Sequence, residues 1–464
     1  MMKWLRIFVI LVAALWFEQA VVLGVTLNAK AEELTKYVLV KDFGAKCDGV
    51  TDDEAAVQNA VNAALQIQFP AGTCVLNGTV TLRAGTILRG GGMGVSIIKQ
   101  GGVSGSSMGT FYADSGAAGT KLAGIQIIDM TIYGQSDVLG FSEFQHLVSF
   151  NGVKDALIEK VEFRGFRGDG LYIGSGSNGT DERHNENIIV RNSVFDGMNN
   201  ANRNGISVID GDAVLIDNNT FRKTTQSNMP GAIDVEPNWN PFHIIRNITV
   251  TNNVFFGIGG NAAISFFFNS ALLITPTGFR MEGNAVAGSA GGISFITRVR
   301  PTPQSSPHNV VVANNAVTTL GRSLVVRGAK EYKVYKNVFS GSAGSSFIGY
   351  IEETDKCSHG VIADNEFRDI REVGLTVFSV DHLAILRNQF IDVGSGATGS
   401  YAIDFNSGIS SYIDLWDNII TSPTGKTTFA IQKEARHTFT PTTNTIKNNK
   451  FVGVSGNAFE TENH

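Results

Sequence analysis

Arg191-Asn192-Ser193-Val194-Phe195 returns, slightly altered, as Asp217-Asn218-Asn219-Thr220-Phe221. Apolar alternation, then Asn-x-Phe or a relative, then glycine or small polar residues: further copies end at Phe255, Val286, Val317, Phe339, Phe367, Phe390, Ile420 and Phe451. Two residues before them stand Asn253, Asn284, Asn315, Asn337, Asn365, Asn388, Asn418 and Asn449, and Ser193 replaces asparagine only in the first copy. The copies follow one another at 22 to 34 residues, and self-similarity at such a period marks a solenoid. Each repeat is too short to bury its own apolar face, so stacking must supply the core.

Between these marks the chain alternates with period two, as in Ile206-Ser207-Val208, Ile233-Asp234-Val235 and Ile403-Asp404-Phe405. Alternation puts one set of side chains inside a coil and the other outside. Helical periodicity and a leucine consensus are both missing, which excludes the common helical and leucine-rich arrays. The pattern predicts an all-β chain, a single-stranded parallel β-helix of about a dozen coils. Stacked asparagines can hydrogen-bond along such a stack and tolerate the left-handed turn, while stacked phenylalanines fill the interior.

Thr51 to Leu65 reads differently. Thr51 or Asp52 can cap a helix, Asp53 and Glu54 suit its first turn, and Ala56, Val57, Ala60, Val61 and Ala64 form an apolar stripe. Placed before the first coil, such a helix covers the open end of the stack. Upstream, Lys3 and Arg6 precede an apolar run and the small-x-small tripeptide Ala29-Lys30-Ala31, the pattern of a secretory signal. The expected organisation is a signal peptide over residues 1–31, a leading segment with the capping helix over 32–78, and a β-helix with a short tail over 79–464. A retained membrane anchor is the alternative for the first segment. The expected location is secreted or periplasmic. Export permits a disulfide between Cys47 and Cys74, which flank the helix; the other reading is two buried thiols.

The formal net charge is −5 and lysine and arginine form no runs, which argues against nucleic acid as a partner. Gly90-Gly91-Gly92-Met93-Gly94 imitates a nucleotide loop, but the strand-like Val95-Ser96-Ile97-Ile98 follows, so no helix N-terminus is offered to phosphate. The eight histidines show no zinc spacing.

The run Val40-Lys41-Asp42-Phe43-Gly44-Ala45-Lys46-Cys47-Asp48-Gly49-Val50-Thr51-Asp52-Asp53, with Phe69-Pro70-Ala71-Gly72-Thr73 after it, resembles the N-terminal segment of the pectate-lyase-3 superfamily, which includes rhamnogalacturonase-like and epimerase-like proteins. The resemblance implies a right-handed parallel β-helix acting on polysaccharide. It reports strongly on fold and weakly on reaction, since one fold hosts many chemistries. The mannuronan-epimerase pattern Tyr-Gly-x-Asp-Pro-His and the polygalacturonase-type aspartates are absent.

One constellation suggests chemistry. Ile233 and Val235 point inward, so Asp234 and Glu236 share the outer face about 6.6 Å apart at Cα. Two carboxylates so close either share a proton or hold a cation, Ca²⁺ being the fitting cofactor. Aligning the inward Leu171, Ile206, Ile233, Ile264 and Ile293 sets Tyr172, Ser207, Asp234, Ser265 and Ser294 in the neighbouring outward column. The expected catalytic residues are Asp234, Glu236 and Arg203, and the expected substrate contacts are Tyr172, Ser207, Trp239 and Arg298. The reading is an exported enzyme cleaving or modifying a uronate-containing polysaccharide by lyase, hydrolase or epimerase chemistry in a groove on the helix face; the alternative is a glycan-binding or adhesin-like surface protein without catalysis.

Overall fold

The computed structural model describes residues 37–101, 109–116, 119–175, 183–238, 240–268, 272–297, 306–349, 357–394, 401–425, 427, 429–439 and 444–454. The expected signal peptide over 1–31, together with Trp239 and Arg298, lies outside the described residues.

The chain is a parallel β-solenoid. One face is a sheet of 13 strands running coil by coil from Val80–Thr81 to Phe429–Lys433, and the remaining strands form a 30-stranded sheet around the other faces. Every paired strand within these sheets is parallel to its neighbour. The expected columns appear in register: Leu171, Ile206, Ile233, Ile264 and Ile293 pair in succession, and so do Tyr172, Ser207, Asp234, Ser265 and Ser294. The interior is a continuous apolar column in which Phe163, Phe195, Phe221 and Phe255 stack face to face at 4.6–4.8 Å.

The asparagine column turns a corner between two faces. Asn219, Asn253, Asn284, Asn315, Asn337, Asn365, Asn388 and Asn418 are all at most 2% exposed. From Asn253 onward each carboxamide oxygen accepts from the backbone and side chain of the asparagine one coil earlier, Asn219 accepting from Ser193 N instead, and each nitrogen donates to a carbonyl, as Asn337 does to Val312 O at 2.9 Å. The left-handed backbone falls one residue earlier than asparagine's own tolerance suggests, on Asn218, Asn252, Asn314, Lys336, Asp364 and Arg387. The preceding residue makes the turn, which frees the buried asparagine for hydrogen bonding. Asn337→Ala strands Asn315 N–H and Val312 C=O without partners, and is expected to cost about 1–3 kcal/mol. Chemical denaturation of wild type and variant measures it; equal stability contradicts a structural role for the column.

A helix spans Glu54–Ala63, with Val57, Ala60 and Val61 buried against the first coils. Asp53 precedes the helix and does not occupy its first turn. Its carboxylate turns back to accept from Lys46 N (2.6 Å), Cys47 N (3.0 Å) and Val75 N (3.3 Å), while Asp52 Oδ1 takes Glu54 N at 3.1 Å. Cys47 and Cys74 are joined by a disulfide, and Cys357 is a buried free thiol.

Candidate functional site

The 13-stranded sheet shows its outer face to a set of side chains delivered by the turns just before its strands. His146 precedes the strand Val148–Asn151, Asp169 precedes Leu171–Ile173, and Arg203 and Asn204 precede Ile206–Val208. Three successive coils thus aim polar groups at the edge of one sheet, where they meet Tyr172 and Ser207 rising from its surface.

Asp169 is wholly buried and is the anchor. Its carboxylate accepts from Arg203 Nη1 at 2.8 Å and from the Asn204 backbone at 3.0 Å, the charge-assisted partners a buried carboxylate requires. The same cation has its pKa raised chiefly by the Asp169 charge, with the Asp234 charge as a further cause, and is fixed as guanidinium. His146 stacks on Tyr172 with centroids 4.6 Å apart and rings 5° from parallel. The Asp169 backbone N–H donates to His146 Nδ1 at 3.1 Å, so that nitrogen carries no proton and Nε2 does. The 3.3 Å approach of Asp169 Oδ2 to the same Nδ1 is therefore a close contact and not a salt bridge. Burial lowers the His146 pKa, in agreement with a neutral ring. The Tyr172 hydroxyl hydrogen-bonds to Asn238, and burial with the nearby Asp169 charge raises its pKa, so the phenol holds its proton.

His146, Tyr172 and Arg203 floor a cavity of about 430 Å³, walled by Tyr112, Glu143, Phe144, Ser149 and Asn238 among others. Tyr112 donates to Asp114 Oδ2 at 2.6 Å, Asp114 in turn pairs with Arg183, and burial and that carboxylate push the Tyr112 pKa up to about 12. Glu143 is exposed at the rim, its Oε1 3.9 Å from Arg203 Nε.

Two sequence expectations require correction. Asp234 stands on the outer face, but it is 0% exposed. Alternation assigns a side chain to the outside of a coil; it does not foresee that the turn carrying Arg203 and Asn204 folds down over that surface. Burial, with Glu236 as a second cause, raises the Asp234 pKa well above its ordinary 3.8. The Asn204 amide closes over this carboxyl, 3.3 Å from Asp234 Oδ2 and 2.9 Å from Ser207 Oγ. A carboxyl sealed from solvent is also poorly placed to bind Ca²⁺, which takes several charged or carbonyl oxygens. Glu236 is partly exposed and lies beside Arg203, and burial raises its pKa. Ser207 is likewise 0% exposed, so it supports Arg203 and Asn204 and is not open to substrate.

A folded-state pKa raised for an acid means that folding holds the proton more tightly than the unfolded chain does. The stabilising term from Asp234 is present below its ordinary 3.8 and is lost as pH rises through the folded value. Asp234→Asn should therefore stabilise the protein at neutral pH relative to wild type and flatten the decline above that point. Melting curves across pH measure it, and a less stable variant at neutral pH would refute a neutral Asp234.

The sequence brought Arg203, Tyr172 and Ser207 to this place, and missed His146, Asp169, Asn204, Glu143 and Tyr112. A signal existed for some. Gln145-His146, Asp169 and Arg203-Asn204 each stand two or three residues before a strand of the same sheet.

Residues 37–259, which include the whole cleft, match the model of the rhamnogalacturonase A/epimerase, pectate-lyase-like family. Mannuronan C5-epimerase AlgE5 of Azotobacter vinelandii is 27% identical over 276 residues, covering 53% of this chain and 24% of that protein. The pre-neck appendage protein of Bacillus phage phi29 is 25% identical over 251 residues, covering 44% of this chain and 28% of the relative. The chain thus spans about a quarter of the length of these curated relatives. Among solved structures, tailspike protein 3 of bacteriophage CBA120 superposes with a TM-score of 0.60 at 15% identity, covering 92% of this chain and 62% of that one. The N-terminal fragment of phage phi29 gene product 12 gives 0.59 at 17%, covering 88% and 72%. At these identities the likeness to solved structures establishes the fold.

Proposed function

We propose, from the premise that residues 37–259 belong to the pectate-lyase-like family, that this protein modifies or cleaves an acidic, uronate-containing polysaccharide at the Tyr172–Arg203 cleft. The observation that carries the reading is the composition of the cleft: a fixed guanidinium, a protonated phenol and a neutral imidazole bearing its proton on Nε2, all around one cavity. Abstraction of the proton next to a uronate carboxylate builds negative charge on that carboxylate, and a preorganised cation stabilises it. In this mechanism Arg203 takes the carboxylate, Glu143 at the rim removes the carbon-bound proton, and Tyr172 returns a proton. Return to the opposite face of the ring inverts the sugar; delivery to the glycosidic oxygen, with the bond breaking, leaves an unsaturated end. His146 positions Tyr172 by stacking and Asp169 positions Arg203.

A hydrolase reading requires two carboxyls flanking the glycosidic oxygen. Asp234 is sealed beneath Asn204 and Ser207, so the Asp234–Glu236 pair does not supply them. Handedness and termini belong to the same proposal: a right-handed coil is the form that parallel crossovers favour, and the Glu54–Ala63 helix serves as the cap of the stack. The Cys47–Cys74 disulfide supports export through the sequence at residues 1–31.

The test is a screen of alginate, polygalacturonate and other acidic polysaccharides, reading ultraviolet absorbance of unsaturated ends, reducing ends and the sugar composition of the recovered polymer. Unsaturated ends identify a lyase, and altered composition without cleavage identifies an epimerase. Reducing ends without unsaturation mean hydrolysis and reject the proton-abstraction scheme.

A further inference from the structure

A second concavity lies on the same sheet, beyond the segment that matches the family. It encloses about 520 Å³ between Asn261, Ser294, Arg322, Val325 and Glu372. Arg322 occupies the turn two residues before its strand, as Arg203 stands three residues before its own. The two strands are connected by an unbroken register, Ile206 to Ile233, Ile264, Ile293 and Leu324. Four rungs at about 4.8 Å put the two arginine-bearing turns about 19 Å apart along one edge of one sheet.

The turns between them carry glycine. A Cβ at Gly231 would lie 2.5 Å from Ala262 O, one at Gly291 2.2 Å from Asn261 O, and one at Gly292 2.1 Å from Ser323 O. Close stacking of successive coils forces these glycines, and its by-product is a path with no side chain from those positions. At its far end Arg322 differs from Arg183, Arg203 and Arg246, each of which meets a carboxylate. Arg322 is exposed, makes no ion pair with a described residue, and lies over the Phe347 ring at 5.8 Å. Opposite, Glu372 is held by the Ser345 N–H (3.3 Å) and hydroxyl (3.4 Å), which leaves an oriented carboxylate facing the groove.

We infer that the Arg322 groove is a distal subsite for the same acidic polymer: Arg322 binds a uronate carboxylate several sugars away from the one at Arg203, and Glu372 accepts from sugar hydroxyls. The inference rests on the proposed function, since it assumes that the polymer reacts at the Arg203 cleft. The Arg322 guanidinium is exposed and has no ion pair with a described residue, and the spacing lets one extended chain meet both arginines. The subsite therefore selects long chains over short ones.

Calorimetric titration of the full chain with oligomannuronates and oligogalacturonates, each as disaccharide and decasaccharide, tests this. Wild type should bind the decasaccharide of one series much more tightly than its disaccharide. Arg322→Gln, an exposed change whose melting temperature should match wild type, is expected to weaken the decasaccharide about tenfold, as loss of a charge-assisted hydrogen bond does, and to leave the disaccharide unchanged. If the variant binds both lengths as wild type does, or loses both equally, the distal subsite is wrong while the cleft reading stands. If wild type binds neither series at either length, the cleft reading itself fails and the subsite falls with it.

Discussion

Tyr172→Phe should reduce turnover on a uronate polymer by about 10² or more while leaving substrate affinity and melting temperature near those of wild type. The variant keeps the ring, and with it the 4.6 Å stack on His146; what it removes is one hydroxyl whose protein partner is the exposed Asn238. Little stability is at stake there. The hydroxyl is, however, the acid in the proposed step, and its loss acts on the transition state and not on binding, so kcat falls with KM steady. Burial and the Asp169 charge hold the Tyr172 pKa above its ordinary 10.0, so the phenol remains protonated through neutral pH, and the alkaline limb of the rate profile should fall above the usual tyrosine range. Steady-state kinetics of both proteins on the polymer that the screen identifies decide the matter. Full turnover in the phenylalanine variant removes Tyr172 from the mechanism.

The repeat made the architecture legible because a solenoid writes its fold locally. One asparagine and one phenylalanine per coil, with period-two alternation between them, suffice to state that each coil lies on the last, and the register of Tyr172, Ser207, Asp234 and Ser265 follows by alignment. The site was legible only to the extent that it stands on strands. Asp234 lies in the outward column that alternation assigns, yet its environment is decided by Arg203 and Asn204, which belong to an irregular turn one coil away. No periodicity describes that turn. The same holds for His146 and Asp169: their contacts run between turns separated by 23 residues, and nothing in either turn alone reports the other. Function accumulates here on the connections that the repeat leaves free to vary, a common division of labour between scaffold and loop.

Arg203→Leu is expected to destabilise the fold by about 3–5 kcal/mol, well beyond the loss of one surface ion pair, because it leaves the wholly buried Asp169 carboxylate without its cation. Arg203 is only 16% exposed in its side chain, so water cannot replace the guanidinium as it would at the surface. The Asn204 backbone N–H still donates to Asp169 Oδ1, but one neutral donor does not balance a buried charge. Asp169→Asn in the wild-type background removes the charge and strands the guanidinium in turn, so that change also costs stability. Made together, the two substitutions leave no ionised member of the pair, and the double variant should be much less destabilised than the sum of the singles. A double-mutant cycle by chemical denaturation measures this coupling. Additive costs would show that Arg203 and Asp169 contribute independently, and Asp169 would then lose its role as the group that holds the cleft's cation in place.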